Sequence, residues 1–564
     1  MKKSDIFFPV LFLLVTFVLF PVSFFDEMDQ DSGDINFSEL AGRIVEEMTD
    51  EQALAQTFML GWVGAEPSPL ILNWIRDRNI GGVKIFGWNT GDTLLLAETI
   101  GALQTHSLDT PFSIPLFVAT DQEGGLVRHV KGATSETPGN MAIGASGYPM
   151  DSYYSGFYIG RELSLLGINM NFAPSVDLFT RRDSVLIGPR SFGEDPVRSG
   201  ILGAAFVKGL EAAGVIATAK HFPGHGDTDL DSHGVLPRIE VSFETLWERE
   251  LIPYRFMVRE GLPAVMSGHL AFPNTAAGET PASLSSWFLK DILREQMGYK
   301  GLIITDDLMM NGAAVFAGGV SKAAKNALLA GNDIIMFSQT PSLFDPIWTS
   351  LTEAVKEDPA LREQVRDAAR RILEVKLKYL RGDNKVPIIP DLKKVNEGLP
   401  DPEGAAFFLD LAARSVTVIK GESSGKKVIP VDPDTAGQVL LAGRYQDFFN
   451  AGEKAFPDSV FFRFPNRSGS ELARLASGAD TIILCLADAD DLVFLRALRG
   501  LGKQVIVFSV LSPVYLEEAP WVDGAIAVYS YAPESFIAGF SAILGRIPAD
   551  GKLPFPMDTA LANQ

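Results

Sequence analysis

"VIATAKHFPGHGDTDLDSHGVLP", Val215 to Pro237, starts as one kind of sequence and ends as another. From Val215 to Ala219 the residues are small or β-branched, with Thr218 the only polar one and no alternation of polar and apolar positions. A short apolar run without alternation reads as a strand covered on both faces, the habit of parallel sheets. Pro223 and Gly224 punctuate its end. From His221 onward this stretch holds three of the chain's six histidines, and aspartates at every second position from Asp227 to Asp231. A buried strand therefore delivers polar groups at its C-terminal end.

Seven other runs share this character. They are "QTFMLGW" (56–62), "GGVKIFG" (81–87), "PLFVATDQEG" (115–124), "INMNFAPSVD" (168–177), "PAVMSGHL" (263–270), "GLIITDDL" (301–308) and "DIIMF" (333–337). Between the runs lie segments such as "SYYSGFYIGRELSLLG" and "VRSGILGAAFVKGLEAAG", whose apolar residues recur at three and four. Eight strand–helix units in succession predict an α/β fold, a (β/α)₈ TIM-type barrel. The polar residues gather where the strands end: Asp121 and Glu123, Asp177, Lys220 and His221, His269, Asp306 and Asp307. Barrel enzymes carry their active sites at that end. Charges converging there are costly to bury unless paired or used.

The helix "REQVRDAARRILEVKLKYL" (362–380) is expected to close the barrel, giving a catalytic domain over 37–382. A linker rich in Pro, Gly and charge covers 383–404. From 405 to 564 the runs "ARSVTVIKG", "QVLLAGR", "SVFFRF", "DTIILCLAD", "KQVIVFSV" and "DGAIAVYS" predict a second α/β domain with an open sheet. No glycine-rich nucleotide fingerprint follows its strands, so no cofactor is expected. The single cysteine, Cys485, sits inside an apolar run and reads as a buried structural thiol.

With 49 basic and 70 acidic residues the net charge is −21, which argues against nucleic-acid partners and against binding to anionic lipid surfaces. Lys2 and Lys3 precede a charge-free apolar run from Ile6 to Phe25, and residues 26–36 form a polar tether. That is the pattern of an export signal and is also long enough for a membrane anchor. The chain is expected to work outside the cytoplasm, periplasmic or extracellular, either released by cleavage or anchored to the membrane by residues 6–25. No cysteine follows the run, which excludes a lipoprotein anchor.

The histidine- and aspartate-rich end admits several chemistries. Asp227, Asp229 and Asp231 copy the first three ligands of an EF-hand loop, but Ser232 and Arg238 stand where glycine and glutamate are needed. His221 and His225 have the spacing of a helical zinc pair, but Pro223 and Gly224 lie between them. No metal is expected. His225, Asp227 and Asp229 suit turn chemistry. Asp231 and His233, two apart in an extended loop, can meet; a carboxylate on one imidazole nitrogen sets the tautomer and raises the basicity of the other. With Asp306 as a carboxylate nucleophile, the pair has the makings of a retaining glycosidase whose proton carrier is an imidazole.

"KHFPGHGDTDLDSHGVLP", "ITDDLMM", "DQEGG", "NFAPSVDL" and "IGPRSFGEDP" resemble glycoside hydrolase family 3, its β-N-acetylglucosaminidase branch in particular. The resemblance covers residues 37–380 closely and extends loosely to about residue 555. "KHFPGHG" marks the wider family. The continuation through "DSH" singles out the branch, because the family's β-glucosidases lack it and usually take a glutamate from another domain as the acid.

The resemblance implies that Asp306 attacks the anomeric carbon, that His233 is the acid and base, and that Asp231 orients it. It implies that Lys220, His221, Asp121 and Arg190 hold sugar hydroxyls, Asp121 near the non-reducing end, with Asn171 and Asp177 as lesser candidates. The family's usual "DQEGGRVxR" carries an arginine eight residues after the aspartate; here that place holds His129, and Arg128 precedes it. Either Arg128 reaches the sugar or His129 stands in. The implied activity is removal of terminal GlcNAc from wall, muropeptide or chitin-type oligosaccharides. A β-glucosidase or β-xylosidase of the same family, a β-GlcNAc phosphorylase and an inactive carbohydrate-binding protein are the alternatives.

Overall fold

Each of the eight apolar runs contains a strand, and each strand pairs in parallel with the next until the ring closes. In chain order they are β1 (Phe58–Gly61), β2 (Gly82–Ile85), β3 (Phe117–Thr120), β4 (Met170–Asn171), β5 (Ile216–Phe222), β6 (Ala264–Ser267), β7 (Leu302–Asp307) and β8 (Ile334–Phe337). The computed structural model describes Phe24 and residues 36–230, 234–343, 345–381 and 385–557. The N-terminal apolar run, apart from Phe24, and the pair Asp231 and His233 lie outside the described residues. Among the described residues no helix is long and apolar enough to cross a membrane.

The unalternating runs have a direct cause. Side chains alternate faces along a strand, and here both faces are dry. Met59, Phe117, Met170, Ile216, Met266, Ile304 and Met336 fill the barrel interior as one cluster. Their neighbours Phe58, Leu60, Val118, Val265, Ile303 and Ile335 pack outward against the helices. The helix Pro359–Leu380 adds Ile372 and Leu380 to the interior cluster. Its buried Lys376 donates to Gln56 Oε1 at 3.0 Å and lies 5.0 Å from the Phe117 ring centroid. Gln56 and Phe117 sit at the N-terminal ends of strands, so the helix stoppers the end away from the polar cluster.

Two glycines after β5 are dictated by the chain's path. Gly224 has φ of 139°, and a Cβ there would approach the Glu250 side chain to 2.9 Å. A Cβ on Gly226 would come within 1.8 Å of the Leu178 carbonyl oxygen. The loop therefore runs flat against the backbone that follows β4.

The second domain contains the expected open sheet. Its strands are β9 (Thr417–Lys420), β10 (Val439–Gly443), β11 (Val460–Arg463), β12 (Thr481–Leu486), β13 (Gln504–Ser509) and β14 (Gly524–Ala527). Their spatial order is β9-β14-β13-β12-β10-β11, with β9 antiparallel to β14 and the other pairings parallel. Both faces are again apolar. Ile483, Cys485 and Ile506 belong to one core. Burial pushes the Cys485 thiol well above its ordinary pKa. Leu484 and Val507 belong to a second core shared with Met141, Ala142 and Phe179 of the barrel domain. The Phe179 and Phe555 rings meet there at 4.7 Å.

Candidate active site

The C-terminal mouth of the barrel holds a cavity of about 280 Å³ lined by Asp121, Glu123, Arg190, Lys220, His221 and Asp306, with Met266, Met310 and Met336 as apolar wall. Five charged side chains, Lys84, Asp121, Lys220, Glu123 and Arg190, form one chain of alternating charge. Lys220, from the end of β5, bonds Asp121 and also reaches Glu123 Oε1 at 2.6 Å. Arg190 grips the same Glu123 with two hydrogen bonds of 3.0 and 2.8 Å, the bidentate geometry guanidinium favours. On the other flank Lys84, from β2, lies 2.6 Å from Asp121 Oδ2.

Burial opposes the charge on both carboxylates, but the cations outweigh it. Lys220 and Lys84 hold Asp121 well below the usual carboxylate range, and Arg190 with Lys220 brings Glu123 down to about 2. Lys220 feels the converse: burial opposes its charge, and Asp121 and Glu123 raise its pKa above the usual value. Asp121, Glu123, Lys220 and Arg190 are thus held in their charged forms, while burial lowers the Lys84 pKa from its usual value; fixed partners of this kind suit recognition of hydroxyl groups by directional hydrogen bonds.

His221 is oriented by Asp177. The ring Nδ1 lies 2.7 Å from Asp177 Oδ2, which leaves Nε2 for the cavity. Asp177 also accepts the backbone N–H groups of His221 (3.2 Å) and His225 (2.7 Å). Burial alone would raise its pKa, but His221 and these bonds pull it well below the ordinary value. Asp177 thus anchors the start of the loop after β5 and does not line the cavity. His225 lines it, with its ring edge-on to His221 at 5.6 Å between centroids. Burial, then His221, lowers its pKa to about 4, so the ring is neutral at physiological pH.

The two aspartates of "TDDL" separate by their partners. Asp307 Oδ1 accepts the N–H groups of Met309 and Ser338, both at 3.0 Å, binding together the turns after β7 and β8. Asp306 accepts the Asp307 N–H at 2.8 Å and faces the cavity. Burial opposes its ionisation, but the charges of His269 and His221 and that N–H lower its pKa below the ordinary carboxylate value. It stands in the cavity as an ionised carboxylate. His269 is structural: its two ring nitrogens meet Ser283 Oγ at 2.7 Å and the Asp307 carbonyl at 3.0 Å.

Not every candidate reaches the cavity. Asn171 exchanges both ends of its amide with the backbone of Gln122, each at 2.9 Å, and braces β3 against β4. Asp227 pairs with Arg249 at 2.7 Å and Asp229 lies 3.4 Å from Arg181, so these acids are separated and bound to arginines. Among the described residues no group of three or more His, Cys, Asp or Glu side chains is arranged to hold a metal ion.

Arg128 turns away: its guanidinium bonds the Thr134 carbonyl at 2.9 Å and Glu136 at 3.1 Å. His129 is the residue that faces Asp121, at 3.5 Å. The cation comes from Lys84, a residue absent from the sequence-based candidates. Its ammonium meets three acceptors: Asp121, the Ile85 carbonyl at 2.8 Å and His129 Nδ1 at 3.3 Å. Burial and then Lys84 lower the His129 pKa to about 4, which keeps it a neutral donor. A lysine inside an otherwise apolar strand was the available signal, since a buried ammonium demands partners.

Lys84→Met is expected to lower kcat/KM by roughly 10- to 100-fold, the loss of one charge-assisted hydrogen bond in a buried cluster. Adding His129→Arg to that variant should restore part of the loss. Steady-state kinetics check both, and unchanged kcat/KM in Lys84→Met would overturn the assignment.

Comparison with known proteins gives the family and the fold. The glycosyl hydrolase family 3 N-terminal domain matches residues 51–375, more than half of the chain. A β-hexosaminidase of Neisseria meningitidis is 37% identical over 51% of the chain and 79% of its own length. β-Hexosaminidase A of Pseudoalteromonas piscicida is 33% identical over 63% of the chain, a match that spans 62% of that relative. The solved structure of a glycoside hydrolase family 3 β-N-acetylglucosaminidase from Paenibacillus sp. superposes on 90% of this chain and 99% of its own, with a TM-score of 0.80 and 28% identity. A β-glucoside phosphorylase superposes with a TM-score of 0.78 at 20% identity, a likeness of fold alone.

Proposed function

The chain belongs to glycosyl hydrolase family 3, and from that premise we propose that it is a retaining β-N-acetylglucosaminidase that removes terminal GlcNAc from wall-derived or chitin-type oligosaccharides. The observation that carries the proposal is Asp306, an ionised carboxylate in a cavity of about 280 Å³ that it shares with the Asp121–Lys220–Glu123–Arg190 network. The names of the Neisseria, Pseudoalteromonas and Paenibacillus proteins support the N-acetylhexosamine specificity.

The chemistry is a double displacement. An Asp306 oxygen attacks the anomeric carbon as the glycosidic C–O bond breaks, and His233 protonates the departing oxygen. Water then gives a proton to His233 and attacks the same carbon, which frees Asp306. Asp231 holds the imidazole in the tautomer that both steps need. Asp121, Lys220, Arg190 and His221 fix the ring by its hydroxyls, and the ionised network spares them reorganisation as charge develops at the anomeric carbon. The charge-free run behind Lys2 and Lys3 supports work outside the cytoplasm, on the cell envelope or on fragments shed from it.

The test is a comparison of nitrophenyl β-glycosides. Hydrolysis of the β-GlcNAc substrate should exceed that of the β-glucoside by roughly 10²-fold in kcat/KM, because a site built to hydrogen-bond a polar substituent discriminates strongly against its absence. A preference for the glucoside sinks the specificity. GlcNAc-1-phosphate as the main product in phosphate buffer makes the enzyme a phosphorylase.

A further inference from the structure

Phe24 is the one described residue of the N-terminal apolar run, and it is fully buried in the core between the strands and the helices of the barrel. Its backbone N–H donates to the Phe112 carbonyl at 3.0 Å. Phe112 is itself buried and lies in the turn between the helix Thr93–Leu108 and β3. That turn is held in place: Thr110 Oγ1 donates to the Ser107 carbonyl at 2.7 Å, and Ser107 Oγ donates to the Ile114 carbonyl at 2.6 Å. Turns that lead from a helix into a strand lie at the N-terminal end of a barrel. Phe24 therefore docks at the closed end, which the helix Pro359–Leu380 stoppers, opposite the catalytic mouth.

We propose that the apolar run is retained as a membrane anchor, and that its docking through Phe24 sets the closed end of the barrel against the bilayer with the mouth facing away. The anchoring does not depend on which sugar the site takes.

An export signal is cut on the C-terminal side of its apolar stretch, which here means close to Phe24. A cut just before Phe24 turns its nitrogen into a charged ammonium inside the core, which is costly. A cut after Phe24 removes the ring and leaves a hole where it packs. The uncut chain satisfies the packing. Its length also fits. Ile6 to Ser23 is eighteen residues without a charge, about 27 Å in helical form against a hydrocarbon core of about 30 Å. The run then leaves the bilayer where the folded body begins, with no slack between them. Lys2 and Lys3 stay on the opposite side of the membrane. The polar residues 26–36 do not space the body from the membrane in this arrangement. They join Phe24 to the helix Phe37–Glu47, and both belong to the same core.

The closed end offers a surface for the lipid interface. Gly167 precedes β4, and a Cβ there would approach the Pro390 ring to 2.8 Å, which places Pro390 and its neighbours at this end. Ile389 is 50% exposed and Leu392 is 39% exposed, with Lys393 and Lys394 beside them on the helix Leu392–Gly398. Asp391 is taken up by the N–H groups of Lys393 and Lys394. Apolar side chains flanked by lysines suit the boundary between acyl chains and headgroups. The substrate must then arrive from the aqueous side, as a shed fragment or a polymer end, rather than as a lipid-linked saccharide of the same membrane.

The full chain, produced with its own N-terminus in a bacterial host, tests this. Enzyme extracted from the membranes with detergent should have a mass that includes residues 6–25, and a carbonate wash should not release it. A mature enzyme that lacks any part of residues 6–23 overturns the proposal. Cys485 is buried, so one introduced cysteine can carry a fluorophore. In phosphatidylcholine vesicles that contain spin-labelled lipid, a label on Ile389→Cys should lose most of its emission. A label on Val185→Cys, exposed on the mouth side after β4, should keep nearly all of it. A flexible insert of about ten residues between Ser23 and Phe24 reaches roughly 18 Å and leaves Phe24 free to dock. It should largely relieve the quenching at Ile389→Cys while wash resistance and the thermal midpoint stay unchanged. Equal quenching at the two positions overturns the orientation, as does an insert that leaves the quenching as it was.

Discussion

Asp306→Asn is expected to lower kcat by roughly 10⁴-fold, about 5 kcal/mol of transition-state stabilisation, with KM changed only a few-fold. Asparagine keeps the shape of the side chain and removes the charge, so the glycosyl-enzyme cannot form while the sugar-binding network stays intact. Stopped-flow assay of nitrophenol release shows whether the wild-type burst disappears. Mass spectrometry with a 2-fluoro sugar should find the wild type labelled at Asp306 and the variant unlabelled. The neighbouring Asp307 serves as the contrast. Its carboxylate holds the Met309 and Ser338 N–H groups, so Asp307→Ala should destabilise the fold by about 1–3 kcal/mol, seen as a lower midpoint in denaturant. Retention of more than about a tenth of wild-type kcat in Asp306→Asn would remove it from the nucleophile's role.

His233→Ala should cost roughly 10²–10⁴-fold, the range for a lost general acid and base, and the loss should depend on the leaving group. A GlcNAc disaccharide, whose departing alkoxide needs a proton, should suffer the full effect. A nitrophenyl glycoside, whose leaving group departs as the anion, should form the glycosyl-enzyme at a near-normal rate and stall at hydrolysis. Azide, which attacks without base assistance, should restore turnover of the aryl substrate and yield glycosyl azide. Asp231→Asn should retain more activity than His233→Ala and shift the alkaline limb of the pH profile, because the imidazole remains but loses the carboxylate that sets its tautomer. Equal losses on both substrates with no azide rescue would show that His233 acts otherwise.

Much of the architecture is legible in the residues alone. Every predicted strand run of the barrel contains a strand, because a sequence apolar at successive positions has no other place than between an interior and a helical layer. The same reasoning predicts the six-stranded sheet around Cys485. The candidate residues at the ends of β3, β5 and β7 converge because a barrel brings those ends to one mouth. Asn171 misleads because a polar residue at a strand end has two uses, and here the backbone of Gln122 takes both ends of its amide. Arg128 misleads for a related reason. One residue of displacement along the chain after β3 sends a side chain to the other side, where Thr134 and Glu136 receive it.

The sequence by itself determined the barrel, the open sheet, the family resemblance and the set of polar strand ends, since all of these depend on local periodicity or on runs of residues short enough to read in line. Three matters depended on distances between remote segments, and only the tertiary structure decided them. Lys84 became the partner of Asp121 because β2 and β3 are adjacent in the ring. Asp306 parted from Asp307 by its partners: both line the cavity, but the Asp307 carboxylate is taken up by the N–H groups of Met309 and Ser338. The second domain came to wall a cavity beside the catalytic one because Ser530 and Tyr531 meet the loop after β3 across some 390 residues of chain. Hydrophobic patterning specifies which face of an element is buried; it carries no record of which distant side chain will stand opposite.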